Sequence, residues 1–238
     1  MGTPSPEETD WIEWRRSFLA NIKRAEEAGD RRIQGLIDNL RPGMERAQAV
    51  YRELQKQTDR GAGIIGGALV EAELPRFIIA HLANSTKGTR GLFDHGRPLE
   101  AFGTQITVAY ALGLVSNDVG HDLDRIREMR NKFAHSLWYV EKGEKQKGHA
   151  RDVVTFEHER IKAWALSLKY PEMLGILLED VKKRFPSAVK PESREFISAL
   201  SPRARYEMTC QCLHLMLVTG QHIDSPVPLR YQTSALPS

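Results

Sequence analysis

Residues 122–138 read DLDRIREMRNKFAHSLW, and the fold and the function both turn on how this stretch is placed. Val119, Leu123, Ile126, Phe133 and Leu137 recur at spacings of three, four and seven, which predicts an amphipathic helix with one apolar stripe. Arg130 stands seven residues after Leu123 and falls on that stripe. At roughly 100° per residue, His135 lies about 140° round from Arg130, on the side shared by Asp124, Glu128 and Asn131. Asn131 and His135 are four apart and touch if the helix persists. Ser116 or Asn117 can cap this helix, and Asp118 stands in its first turn.

An arginine on an apolar stripe has two readings. As a structural ion pair it requires a carboxylate, and the buried helix upstream offers Glu71 and Glu73. Glu71 is the expected partner, and its loss from a fully buried pair would cost about 3–5 kcal/mol. As a ligand group, a guanidinium offers five donors and a fixed charge, which suits a phosphate or a pentacovalent phosphorus. A histidine moves protons near neutral pH. Together such residues can cut RNA without a metal, one group acting on the 2′-hydroxyl and the other holding the phosphate. The half-turn between Arg130 and His135 then demands that the helix end before His135, or that two chains pair and bring two such sites to one cleft.

The rest of the chain predicts an all-α helical bundle. Residues 9–28 place Trp11, Trp14, Phe18 and Ile22 at helical spacing, and a short helix is expected over 31–39. Arg41-Pro42-Gly43 breaks the chain, and helix resumes over 44–57. GAGIIGGALVEAELPRFIIAHL, 61–82, is apolar almost all round and predicts a central helix, which Pro75 should kink or break. Gly63 and Gly67, four apart, permit close packing of another helix. No Gly-Lys-Ser/Thr follows them to make a phosphate loop. A polar loop is expected over 84–99, a buried helix over 102–115 whose end Gly113 weakens, and a charged loop over 141–152. Further helices are expected near 157–169 and 171–184, and a last one from Ser201-Pro202 to near Gly220. These elements divide the chain into an N-terminal amphipathic extension (1–40), a helical core (41–185), a C-terminal helix (186–223) and a flexible tail (224–238).

Composition narrows the function classes. Of 238 residues, 41% are hydrophobic, and 34 Lys+Arg face 31 Asp+Glu, so polyanion binding would need a local patch. Arg15, Arg16, Lys23 and Arg24, with Arg31 and Arg32, supply either such a patch or an ordinary solvated helix face. Cys210 and Cys212 are too close for an ordinary disulfide and read as small buried groups in a reducing compartment. No apolar run suggests a signal peptide or a membrane span, so a cytoplasmic protein is expected. No cofactor motif is present. His121, Asp122 and Asp124 make a poor metal set, because adjacent helical residues diverge by about 100°.

Two family resemblances attach to these residues. Arg130-Asn131-x-x-x-His135 resembles the R-N-x-x-x-H signature of HEPN domains, which are all-α, usually dimeric, and in many cases metal-independent RNases of toxin–antitoxin and antiphage systems. The resemblance implies that Arg130 holds phosphate, His135 does acid–base work and Asn131 positions it, in a cleft shared by two protomers and with RNA and an antitoxin as partners. The longer run GTQITVAYALGLVSNDVGHDLDRIREMRNKFAHS, with the preceding helix that carries Glu71, resembles the mannitol operon repressor (MltR) family over roughly residues 44–170. That family is also all-helical, and it implies a non-catalytic transcriptional regulator acting through protein contacts. Direct DNA binding is a weaker third reading, since no recognition helix is apparent.

Overall fold

The computed structural model describes residues 51–82, 87–135, 154–184 and 193–220. The expected helices over 9–28 and 31–39, the basic residues Arg15, Arg16, Lys23 and Arg24, the charged loop and the tail lie outside the described residues. Among the described residues all regular structure is helical. The long elements are α1 (Asp59–Ala80), α2 (Phe102–Ala111), α3 (Asn117–His135), α4 (Glu159–Leu166), α5 (Lys169–Arg184), α6 (Ser193–Ala199) and α7 (Pro202–Gly220). The expected loop over 84–99 holds a single helical turn at Lys87–Arg90 and a 3-10 turn at Gly91–Phe93.

The start signals act as their chemistry requires. Thr58 caps α1, its hydroxyl accepting from Gly61 N at 3.2 Å. Ser116 Oγ accepts from Val119 N at 3.4 Å at the start of α3, and Ser201 Oγ accepts from Ala204 N at 3.2 Å at the start of α7. Gly113 closes α2 with φ +68°, a conformation that suits glycine. The helix expected over 102–115 therefore ends earlier, at Ala111.

The glycines of α1 decide how the bundle packs. A methyl group at Gly63 would fall 2.1 Å from the Phe133 ring, and one at Gly67 would fall 2.6 Å from Arg130 Cβ. Rising numbers on α1 thus meet falling numbers on α3, and the two helices run antiparallel at close range. On another side of α1, Tyr206 of α7 lies against Gly66 and Gly67, and its hydroxyl donates to Gly63 O at 2.6 Å. Asp59 with Arg203, Gly63 with Tyr206 and Gly66 with Cys210 place α7 parallel to α1. Tyr206, Cys210, Leu213 and Leu217 belong to the same core cluster as α1 and α3.

Three expectations need correction here. The break that Pro75 could have caused does not occur, and α1 continues through it. Leu74, Phe77 and Ile78 are essentially unexposed on both sides of the proline, and their burial outweighs the roughly 3 kcal/mol that an interior proline costs. Nor is α1 covered all round, because Ala68, Ala72, Arg76 and Ala80 form an exposed strip one turn apart. Finally, the buried stripe of α3 is completed by Met129, at 0% exposure, together with Val119, Leu123, Ile126 and Phe133. Arg130 sits at the margin of the stripe, its stem on Gly67 and its side chain 31% exposed.

Two polar clamps close the fold. Asp122, wholly buried on α3, accepts from Lys169 N and Tyr170 N at 2.8 and 2.9 Å and so caps α5 from another helix. Arg203 donates to Asp59, Glu207 and the carbonyls of Leu54 and Gln57, at 2.7–3.1 Å. Asp59 also accepts from Phe156 N at 2.9 Å, tying the residues ahead of α4 to the start of α1.

Candidate functional site

α3 has a second long face besides its buried stripe. Asp124, Arg127 and Asn131 follow one another at spacings of three and four, and all three line an open cleft of about 760 Å³. The opposite wall is the first turn of α2, with Phe102, Gly103, Thr104 and Thr107, and Glu71 of α1 contributes from the side with Arg130. Ala101 gives α2 no side-chain cap, so the free N–H groups of its first turn belong to this wall.

The charges of the cleft are already matched. Arg127 Nη2 and Nε reach Asp124 Oδ1 at 3.1 and 3.2 Å, and the Arg127 side chain lies over Gly103 at the start of α2. Arg130 Nη2 lies 2.8 Å from Glu71 Oε2, and its Nη1 donates to Asn131 Oδ1 at 2.9 Å. Gly67 and Glu71 are four apart on α1, so one receives the stem of Arg130 and the other its head. The side chains of Arg130 and Glu71 are 31% and 27% exposed, so this pair sits at a rim and is not the buried pair expected.

His135 is exposed and is the last residue of α3. It does not line the cleft. It stands one turn beyond Asn131 on the same side of the helix, while Arg60 Nη2 donates to Ala134 O at 3.1 Å and satisfies the helix end. Of the two ways to reconcile Arg130 with His135, an earlier helix end is therefore excluded, since α3 is continuous through both. Among the described residues no hydrogen bond joins Asn131 to His135. The Asn131 side-chain oxygen serves Arg130 instead.

Other candidates have structural roles. His121 Nδ1 approaches Asp122 Oδ1 at 3.1 Å, but that carboxylate is occupied in capping α5. Among the described residues no three His, Cys, Asp or Glu side chains gather as a metal site. Cys210 is buried and Cys212 partly so, and burial pushes both thiols up, Cys212 to about 12. At neutral pH neither is a ready nucleophile. No helix among the described residues is long and apolar enough to cross a membrane.

From the sequence, Asp124 stands on the face of Asn131 and in a poor metal set, but Arg127 and the α2 wall are not singled out. The three–four spacing of Asp124, Arg127 and Asn131 was the available signal for the α3 face, whereas nothing local announced that the first turn of α2 would stand opposite. Compared with known proteins, the chain matches no family model, no curated protein and no solved structure.

Proposed function

We propose that this chain is a HEPN-like, metal-independent RNA endonuclease of a toxin, defence or stress type, which works as a cytoplasmic homodimer. One observation carries the reading: α3 is unbroken from Arg130 to His135, with Arg130 and Asn131 at an open cleft and His135 exposed one turn further on. A continuous helix holds the two functional groups about 140° apart. A second copy, bringing its own α3 alongside, supplies a histidine and an arginine to one scissile phosphate.

In that cleft His135 takes the proton from the 2′-hydroxyl, and the resulting oxygen attacks the adjacent phosphorus. The P–O5′ bond breaks, and the leaving oxygen acquires a proton from an acid, for which the second His135 is suited. Arg130 holds the phosphoryl oxygens as charge accumulates on them. The products are a 2′,3′-cyclic phosphate and a 5′-hydroxyl. Asn131 holds the guanidinium in register through its bond to Arg130.

The test is cleavage of RNA by the purified chain in EDTA, with end-group analysis of the products. His135→Ala should lose roughly 10²–10⁴-fold of the rate. Arg130→Lys should fail as well, because a point charge does not reproduce a two-pronged grip. A chain that is monomeric at micromolar concentration in sedimentation would defeat the composite cleft. The second reading is an MltR-like regulator acting through a protein partner. Its support is the Arg130–Glu71 pair itself, which is what a purely structural arginine would form. It prevails if no RNA is cut and His135→Ala still represses its target as the parent does.

A further inference from the structure

We infer that Glu71 is a built-in competitor for the anion that Arg130 is to bind, so that the site is self-occupied until the carboxylate is displaced. The inference rests on the reading that Arg130 grips an RNA phosphate. Both terminal nitrogens of Arg130 are engaged, Nη2 by Glu71 at 2.8 Å and Nη1 by Asn131 at 2.9 Å. The first atoms of its side chain are pinned on Gly67, where even an added methyl would fall 2.6 Å from Cβ. The base of the side chain is thus fixed against α1, and in this arrangement the guanidinium meets an incoming ligand while it faces Glu71. A phosphate entering the cleft must take the place of that carboxylate or stand beside it, and two anions at one guanidinium repel each other.

The other charged side chains of the cleft do not relieve this competition. Its other arginine, Arg127, is held by Asp124, so each guanidinium faces one carboxylate and the side chains leave no net positive charge. Glu73, the nearest acid on α1, is paired with Arg76 at 2.5 Å and is not among the residues that line the cleft. Glu71 and Arg130 are each about a third exposed, so the pair is weak enough for a ligand to open. A partner surface that offers Glu71 another cation would release Arg130 for RNA.

The experiment measures binding apart from cleavage. A fluorescent 2′-O-methyl RNA, which has no nucleophilic hydroxyl and stays intact, is titrated with the full chain and followed by anisotropy. Glu71→Gln keeps the shape and removes the charge, and it should tighten binding by about three- to fivefold, the upper worth of an ion pair about a third exposed. Asp124→Asn removes the same charge from the same cleft but leaves Arg130 bonded, and it should tighten binding by no more than about twofold. Glu71→Gln should bring no gain when Arg130 is already Gln. Thermal melting of each variant establishes that it is folded. The inference is overturned if Glu71→Gln binds no better than the parent, if Asp124→Asn gains equally, or if the gain survives without Arg130. If the parent cuts RNA and Glu71→Gln merely matches it in binding, only the competitor role is lost. If neither binds the RNA, the RNA reading goes and the inference with it.

Discussion

The two sides of α3 are built on opposite principles. On one, Phe133 fits over Gly63 and packs, tilted, against Phe156 with ring centres 4.9 Å apart, and Phe156 in turn lies 5.2 Å from Tyr206. On the other, Asp124, Arg127, Arg130 and Asn131 face open space across from α2. The dry side gains from burial and from shape, and it tolerates neither a missing nor an added methylene. The cleft side gains little from its ion pairs, because water reaches them. Stability is therefore concentrated where no chemistry is proposed, which leaves the cleft free to exchange partners.

That contrast can be broken at graded points. The largest effect is expected for Phe133→Ala, which removes the ring packed between Gly63 and Phe156 and should cost about 3–5 kcal/mol in denaturant unfolding. Gly63→Ala should cost about 1–3 kcal/mol, because the added methyl meets a buried ring whose displacement outweighs the gain in helix propensity. Its melting temperature measured against that of Gly175→Ala in α5, where no atom lies within 4 Å of the added methyl, would separate packing from propensity. Across the helix, Glu71→Ala should cost only about 1 kcal/mol, since both partners are solvated at the rim. A loss of 3 kcal/mol there would mean that the cleft is as dry as the opposite side.

The smallest effect concerns pH. Burial, reinforced by Lys132 and Arg160 against the opposing influence of Glu159, holds His158 below the usual histidine range. The unfolded chain then takes up a proton before the folded chain does. The His158 contribution is intact above a pH of about 6.5 and is lost as pH falls through that value toward the lowered one. Melting curves at about pH 7.5 and 5.5 should converge slightly in His158→Asn relative to the parent.

Much of this was legible in local spacing, and the failures share one cause. Ser116, Ser201 and Pro202 announced helix starts, and the glycines at 63 and 67 announced close approach, because caps and missing side chains act within a turn of themselves. Arg130 was placed in the interior because a seven-residue step from Leu123 lands near the stripe. Met129, about 100° round from Arg130 on the other side of the stripe, takes the interior position. Asp122 reads only as a member of a poor metal set, since its two acceptors are matched to N–H groups 47 and 48 residues later. The break allowed for at Pro75 does not occur, because tertiary burial on either side of it, which is absent from a local rule, outweighs its cost. The cleft needed three separate helices to be assembled before it existed at all.

The position of α7 carries a consequence for synthesis. The glycine face of α1 receives Tyr206, and Asp59 receives Arg203, from residues 143 and 144 places further along the chain. A ribosome releases α1, α2 and α3 long before α7 exists. During that interval Gly66, and the side of Gly67 that Tyr206 covers, have no native cover, and the nascent chain carries a groove shaped for a helix not yet made. Such a groove is open to any amphipathic helix at hand, including one from a neighbouring nascent copy. The final helix thus acts as a stopper, and a truncation that stops translation before residue 202 would yield a chain that aggregates or engages chaperones while retaining every residue of the proposed site.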